Sequence, residues 1–316
     1  MNDLDTLIQT ILSNDISGLK ENLAKNPALV NYTEPEHGFS LLLVACYNNN
    51  IDIAELLIDN GADIEAKSYS GATALILSSY MNHRDLVALL LNKGAEIDAI
   101  DTCRNTALIY ASSGGYADVA TLLIDRGANI NIKNQNKENA LIITSRDGSA
   151  EIVTSLLNKG ARLDDTNFNG ESALTEASNK GHVQIVDLLL EQGADVNSQN
   201  CYGQTSLMLA CSRGYDEIAA SLLNRGADIN ICDNEGNTAT LLALRGMREE
   251  DRRNINSKLR LPYNQIESAH LKTLARIVQE SNVERIDIPR NSLKEAEKKC
   301  IERINEAIRP NKDRLK

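Results

Sequence analysis

The chain has no tryptophan and only two phenylalanines, and aromatic residues make up 3% of its 316 positions. An interior without large rings must be filled by Leu, Ile, Val and Ala, so each aromatic that does occur is worth locating. Histidine is nearly absent, at four residues. The six cysteines (Cys46, Cys103, Cys201, Cys211, Cys232, Cys300) form no C-x-x-C pair and no metal-ligand spacing, which speaks for a reduced compartment and against a structural zinc. There is no P-loop, no G-x-G-x-x-G and no G-x-S-x-G, so neither a phosphate cradle nor a nucleophile elbow is encoded. No run approaches the roughly 18 apolar residues that a membrane helix needs. The opening Met1-Asn2-Asp3-Leu4-Asp5 lacks the basic start of a signal peptide. The expectation is a cytoplasmic chain without metal or cofactor.

Positive charge is scarce where most of the chain lies. Residues 1–247 hold 16 Lys/Arg against 32 Asp/Glu, whereas residues 248–316 hold 17 against 12. An acidic body argues against a nucleic-acid partner, because phosphate-backbone binding needs clustered cations. The tail mixes both signs and reads as solvated helical faces.

What is present is a beat. Gly61-Ala62, Gly94-Ala95, Gly127-Ala128, Gly160-Ala161, Gly193-Ala194 and Gly226-Ala227 stand 33 residues apart without insertion. One structural unit has been copied and stacked. In residues 73–99, Thr73 can cap a short apolar helix from Ala74 to Tyr80. The same slot holds Ser40, Thr106, Asn139, Ser172, Thr205 and Thr238, all good caps. A turn at Asn82-His83 leads to a second helix with Leu86, Leu89 and Leu90 on one face. Gly94 ends it, and Ala95–Ala99 leads away extended. Helices this short are marginal alone, so the Leu-Leu pairs (Leu56-Leu57 through Leu222-Leu223) must bury against neighbouring units.

The unit Asn169-Gly170-Glu171-Ser172-Ala173-Leu174-Thr175-Glu176-Ala177, with Gly181-His182 and Leu188-Leu189-Leu190 before Gly193-Ala194-Asp195-Val196-Asn197, resembles the ankyrin repeat. The resemblance covers about residues 36–245. It implies an all-α ankyrin-repeat solenoid of about seven to eight repeats, each a helix-turn-helix with a β-hairpin-like finger. The family's Thr-Pro-Leu-His is absent, replaced by Thr-Ala-Leu-Ile or Ser-Ala-Leu-Thr. Arg104 and Lys137 stand where other fingers have Gly, so these two fingers are expected to be shaped differently.

Three segments follow from this register. Residues 1–35 read as a divergent N-terminal capping repeat, with Leu4, Leu7, Ile8 and Ile11 helically spaced. Residues 36–245 carry the repeats, and 246–316 form a helical C-terminal cap or extension. Asn264 with Glu267 and Ser292 with Glu295 make capping boxes for two tail helices. The first reads either as the delayed second helix of the last unit or as part of a separate small domain.

Little chemistry is legible. His83 and His182 sit in the turn between helices, where a local turn contact is the simpler role. His270 and Cys300 on the tail helices are the one conceivable nucleophile pair, but no oxyanion turn accompanies them. The chain is therefore expected not to be an enzyme. The resemblance implies a protein partner, held by finger tips and the exposed ends of the first helices. Relative to each cap residue these are offsets −4, −3, −1, +7 and +8. Six of the eleven aromatics fall there: Phe39, Tyr47, Tyr69, Tyr80, Phe168 and Tyr202. Met81 joins the apolar set, and Arg146, Lys180 and Arg213 continue the +7/+8 ridge with positive charge. The resulting expectation is a monomeric protein-binding scaffold gripping an elongated partner, apolar at one end and acidic toward the other, on the concave face, with no membrane or nucleic-acid role. The alternatives are an adaptor whose tail recruits a second protein, and a small enzyme centred on the tail. Arrays without a secretion signal are also similar to effectors that intracellular bacteria deliver into host cells, and the richness in Asn, Ile and Lys hints at an AT-rich genome.

Overall fold

The computed structural model describes residues 3–247, 272–275, 277, 301 and 302. His270, Cys300 and the two capping boxes of the tail lie outside the described residues. By their contacts the residues fall into two compact units, one made of residues up to 144 with 151–161, the other of 145–150 with 162 onward.

The first unit opens with α1 (Asp3–Leu12) and α2 (Ile16–Lys25), followed by a 3₁₀ turn at Pro27–Asn31. Leu7, Ile11, Leu19 and Leu23 are buried between them. Helix pairs then succeed one another: α3 (Leu41–Tyr47) with α4 (Ile51–Asp59), α5 (Ala74–Tyr80) with α6 (Arg84–Asn92), and α7 (Ala107–Ser113) with α8 (Ala117–Asp125). The first helices stack on one another in sequence order, α3 on α5 and α5 on α7, as do the second helices α4, α6 and α8. This is the nearest-neighbour packing of a solenoid. Helix α9 (Ala140–Asp147) contains the division between the units, and α10 (Ala150–Asn158) follows. In the second unit, α11 (Ala173–Lys180) packs on α12 (Val183–Glu191), α13 (Ser206–Arg213) packs on both α11 and α14 (Asp216–Asn224), and α15 (Ala239–Gly246) packs on α13. No strand forms among the described residues. The fingers contain two isolated bridges, Thr33–Ser40 and Thr166–Ser172.

Local chemistry explains each boundary. All seven cap residues accept from the backbone N–H three positions on, Thr106 Oγ1 from Ile109 N at 3.2 Å and Asn139 Oδ1 from Ile142 N at 3.0 Å being examples. Each satisfies a donor that the helix start would otherwise leave orphaned. At the other end, Gly94 N–H donates to Leu91 O and Ala95 N–H to Leu90 O, at 3.1 and 3.0 Å. This is a Schellman closure. It requires φ of +90° at Gly94, although a Cβ there would touch nothing within 4 Å. Glycine is selected by backbone angle and not by space, and the same pair of bonds recurs at every Gly-Ala.

The first helices are buried along nearly their whole length. In α5 every residue from Ala74 to Ser79 is buried, and only Tyr80 emerges. Four of the six Leu-Leu pairs divide unevenly, whereas both residues are buried in Leu156-Leu157 and Leu222-Leu223. Leu57, Leu90, Leu123 and Leu189 are fully buried, while Leu56, Leu89, Leu122 and Leu188 are half-buried. Cys46 and Cys211 occupy the expected core slot. Burial pushes the Cys46 thiol up to about 12 and Cys211 up as well.

Two expectations are corrected. The fingers bearing Arg104 and Lys137 keep the common turn, with φ of +62° and +59° and N–H bonds of 3.0 Å to Asp101 O and Asn134 O. The turn geometry prevails because a polar side chain at its base, Asp101 or Asn134, accepts two backbone N–H groups of its own finger. The L-residue bears the strain, of order 1 kcal/mol. The histidine contacts are not local either. A ring nitrogen of His83 lies 3.0 Å from Cys46 O and one of His182 lies 2.9 Å from Arg146 O. Each clamps its repeat to the end of the preceding first helix.

Candidate functional site

In α3 and α5, offset +7 is the first residue to leave the core, and it delivers Tyr47 and Tyr80 to the surface at 49% and 55% exposure. The finger before α5 presents Tyr69 at 70% exposure. Its ring lies over the preceding finger, where a Cβ on Gly38 would stand 2.6 Å from a ring carbon. Its backbone N–H donates to His37 O at 3.0 Å and its hydroxyl to Pro35 O at 3.4 Å. One face of that ring is thus held and the other is open. Phe39 is half-buried, tilted against Tyr47 with ring centres 6.3 Å apart. Met81 is half-buried at the end of α5.

A cleft of about 390 Å³ runs between the second finger and the first helices, lined by Ser70, Ala72, Ile76, Leu77, Tyr80 and Tyr110. Tyr110 is absent from the set read from sequence. It packs edge-on to Tyr80 at 5.4 Å and donates a 2.6 Å hydrogen bond to Asp101 Oδ2. Partial burial, and then that bond, push its phenol up to about 12. Its offset of +4 lies within a run of buried core positions. That position faces the fingers, and only a side chain longer than Leu uses it to reach them.

In the second unit, Phe168 and Tyr202 stand at finger tips with 62% and 54% exposure. Lys180 and Arg213 are exposed at the ends of α11 and α13. Arg146 is half-buried, its Nε 3.2 Å from Asp147 Oδ1. A second cleft, of about 440 Å³, includes Tyr202, Gln204, Asp233, Glu235, Leu242 and Arg245. Arg245 continues the basic +7/+8 positions and was missed, although the register places it there; it donates to Asn237 Oδ1.

Among the described residues one grouping has metal-ligand character: Glu34, Glu36 and His37, whose ligand atoms lie within 4.8 Å of one another. The Glu34 carboxylate already accepts from Glu36 N and His37 N at 2.7 Å and from Phe39 N at 3.0 Å. Despite the cost of burial, these bonds hold its pKa below the usual value. Its role is to shape the first finger. No helix of the described residues is long and apolar enough to cross a membrane.

A family model of ankyrin repeats in three copies matches residues 7–101, 42–134 and 108–200, and a model of ankyrin repeats in many copies matches residues 189–243. Comparison with curated proteins gives no match.

Proposed function

The chain belongs to the ankyrin repeat family, whose repeats are general modules of protein–protein interaction, and from that premise we propose a non-catalytic scaffold that grips a partner protein with its finger tips and first-helix ends. This is the side that ankyrin arrays present as their concave face. One observation carries the reading. Of the six large apolar side chains exposed among the described residues, five are the aromatics Tyr47, Tyr69, Tyr80, Phe168 and Tyr202, and the sixth is Leu12. All five sit at binding offsets. Rings bury much area for little entropy and are what interface hot spots favour. In a body whose interior is aliphatic, placing the rings outside serves contact with something else.

The test is affinity capture with the full chain and with a Tyr47→Ala, Tyr69→Ala, Tyr80→Ala variant. Loss of the captured protein with a melting temperature held within a few degrees supports the face. Undiminished capture by the variant refutes it.

A further inference from the structure

The tips of the third and fourth fingers differ from the rest in a way that the aromatic face does not explain. The chain at Arg104 and Lys137 takes a left-handed turn that five other fingers give to glycine, at Gly38, Gly71, Gly170, Gly203 and Gly236. Both fingers belong to the first unit, and both substitute a cation. Non-glycine residues in this backbone region persist where the surroundings hold the turn, and such outliers gather at ligand-contacting sites.

Charge gives the second observation. At the turns of these fingers the acidic residues face inward: Asp101 and Glu138 are each 8% exposed. Asp101 spends its oxygens on Cys103 N, Asn105 N and the Tyr110 hydroxyl. The exposed tip residues are Thr102, Cys103 and Arg104 on one finger and Gln135, Asn136 and Lys137 on the next. They include no acid. The Arg104 guanidinium has no hydrogen bond or ion pair among the described residues, whereas Lys137 has a contact of its own. In a segment with twice as many acidic as basic residues, this row is locally positive.

The row is also continuous with the apolar cleft. Thr102 donates to Ser70 O through both N–H and hydroxyl, at 3.0 and 2.8 Å, and Ser70 lines the cleft. Gln135 donates to Cys103 O and Thr102 O, at 3.0 and 2.7 Å. Three tips are thereby joined in sequence, Tyr69 at one end and Lys137 at the other. We infer that Arg104 and Lys137 form an anion-accepting extension of the Tyr80–Tyr110 cleft, and that this face takes an extended acidic segment of a protein, with a large apolar side chain in the cleft and carboxylates on the two cations. The inference rests on the scaffold reading and adds the chemistry of its partner.

The experiment uses the full chain and fluorescent synthetic peptides of about a dozen residues, each with a central Phe flanked by Glu, by Ser or by Lys. Anisotropy titrations at low and high salt should rank Glu above Ser above Lys, with about a tenfold step that salt erodes. The variant Arg104→Gly, Lys137→Gly keeps the turn and should bind Glu- and Ser-flanked peptides equally. Arg104→Glu with Lys137→Glu should favour the Lys-flanked peptide. Tyr80→Ala should weaken all three. If all peptides bind equally, or the Glu preference survives in the glycine variant, the anion site is overturned while the aromatic face stands. If no peptide binds, both fall for this unit. A single-stranded oligonucleotide bound more tightly than the Glu peptide, with the same dependence on Arg104 and Lys137, would overturn the assignment to a protein segment.

Discussion

The hydroxyl of Tyr110 donates to Oδ2 of Asp101 at 2.6 Å, while Oδ1 of the same carboxylate holds the finger turn through Cys103 N and Asn105 N. One side chain on a first helix therefore fixes the base of the finger that bears Arg104. The same two columns meet again where Asn167 Nδ2 approaches Glu176 Oε1 at 3.4 Å.

Replacing Tyr110 by Phe should cost about 1–2 kcal/mol in denaturant unfolding, since a buried carboxylate loses a charge-assisted donor. The phenol is shifted up to about 12 in the folded state. A raised acid pKa means that this contribution is whole below the unfolded value near 10 and is lost as pH climbs from there towards 12. Spectrophotometric titration of the native chain should show a late-ionising component that Tyr110→Phe removes.

The uneven Leu pairs give a positional test of packing. Leu90→Ala and Leu123→Ala should each destabilise by about 2–5 kcal/mol, as complete burial leaves a cavity. Leu89→Ala and Leu122→Ala should cost clearly less. Equal losses at Leu89 and Leu90 would contradict the register of these helices.

Backbone strain predicts opposite signs at two positive-φ positions. Gly94→Ala should destabilise by about 1 kcal/mol, for angle alone, because no atom blocks the methyl group. Arg104→Gly relieves the same strain in the finger turn and should raise stability by about 0.5–1 kcal/mol in the same measurement.

Thiol chemistry separates core from surface. Cys103 and Cys201 are exposed, Cys46 and Cys211 are buried with raised pKa values. Mass-spectrometric mapping after brief alkylation at neutral pH should find the first two modified and the second two intact. Denaturant should make all four react.

Much of this was readable because it is periodic and local. A cap needs only an oxygen three residues ahead of an N–H, and a Schellman end needs only a residue that tolerates positive φ. Both are written in adjacent residues, so Thr106 and Gly94 could be placed without coordinates. The exposed aromatics could be placed for the same reason, since the register supplies each residue's address on the unit. What escaped was anything that depends on side-chain reach. His83 was placed in its turn, but that its ring meets Cys46 O follows from how one repeat stacks on the last. Tyr110 was not singled out, because its column holds buried core residues in most other repeats, and only its length carries it to Asp101. Arg104 and Lys137 looked like a change of turn, because propensity disfavours them there; the two backbone N–H groups that Asp101 and Asn134 each accept outweigh that propensity.

The sequence by itself determined the repeat unit, its helix boundaries and the columns that face solvent, all consequences of bonds between residues a few positions apart. Tertiary structure alone decided which residues of the Leu pairs are sealed in, how Tyr69 lies over Gly38, and that the tips from Tyr69 to Lys137 form one row. Those outcomes depend on side-chain volume and on contact between residues about thirty positions apart, which a linear period can align but cannot dock.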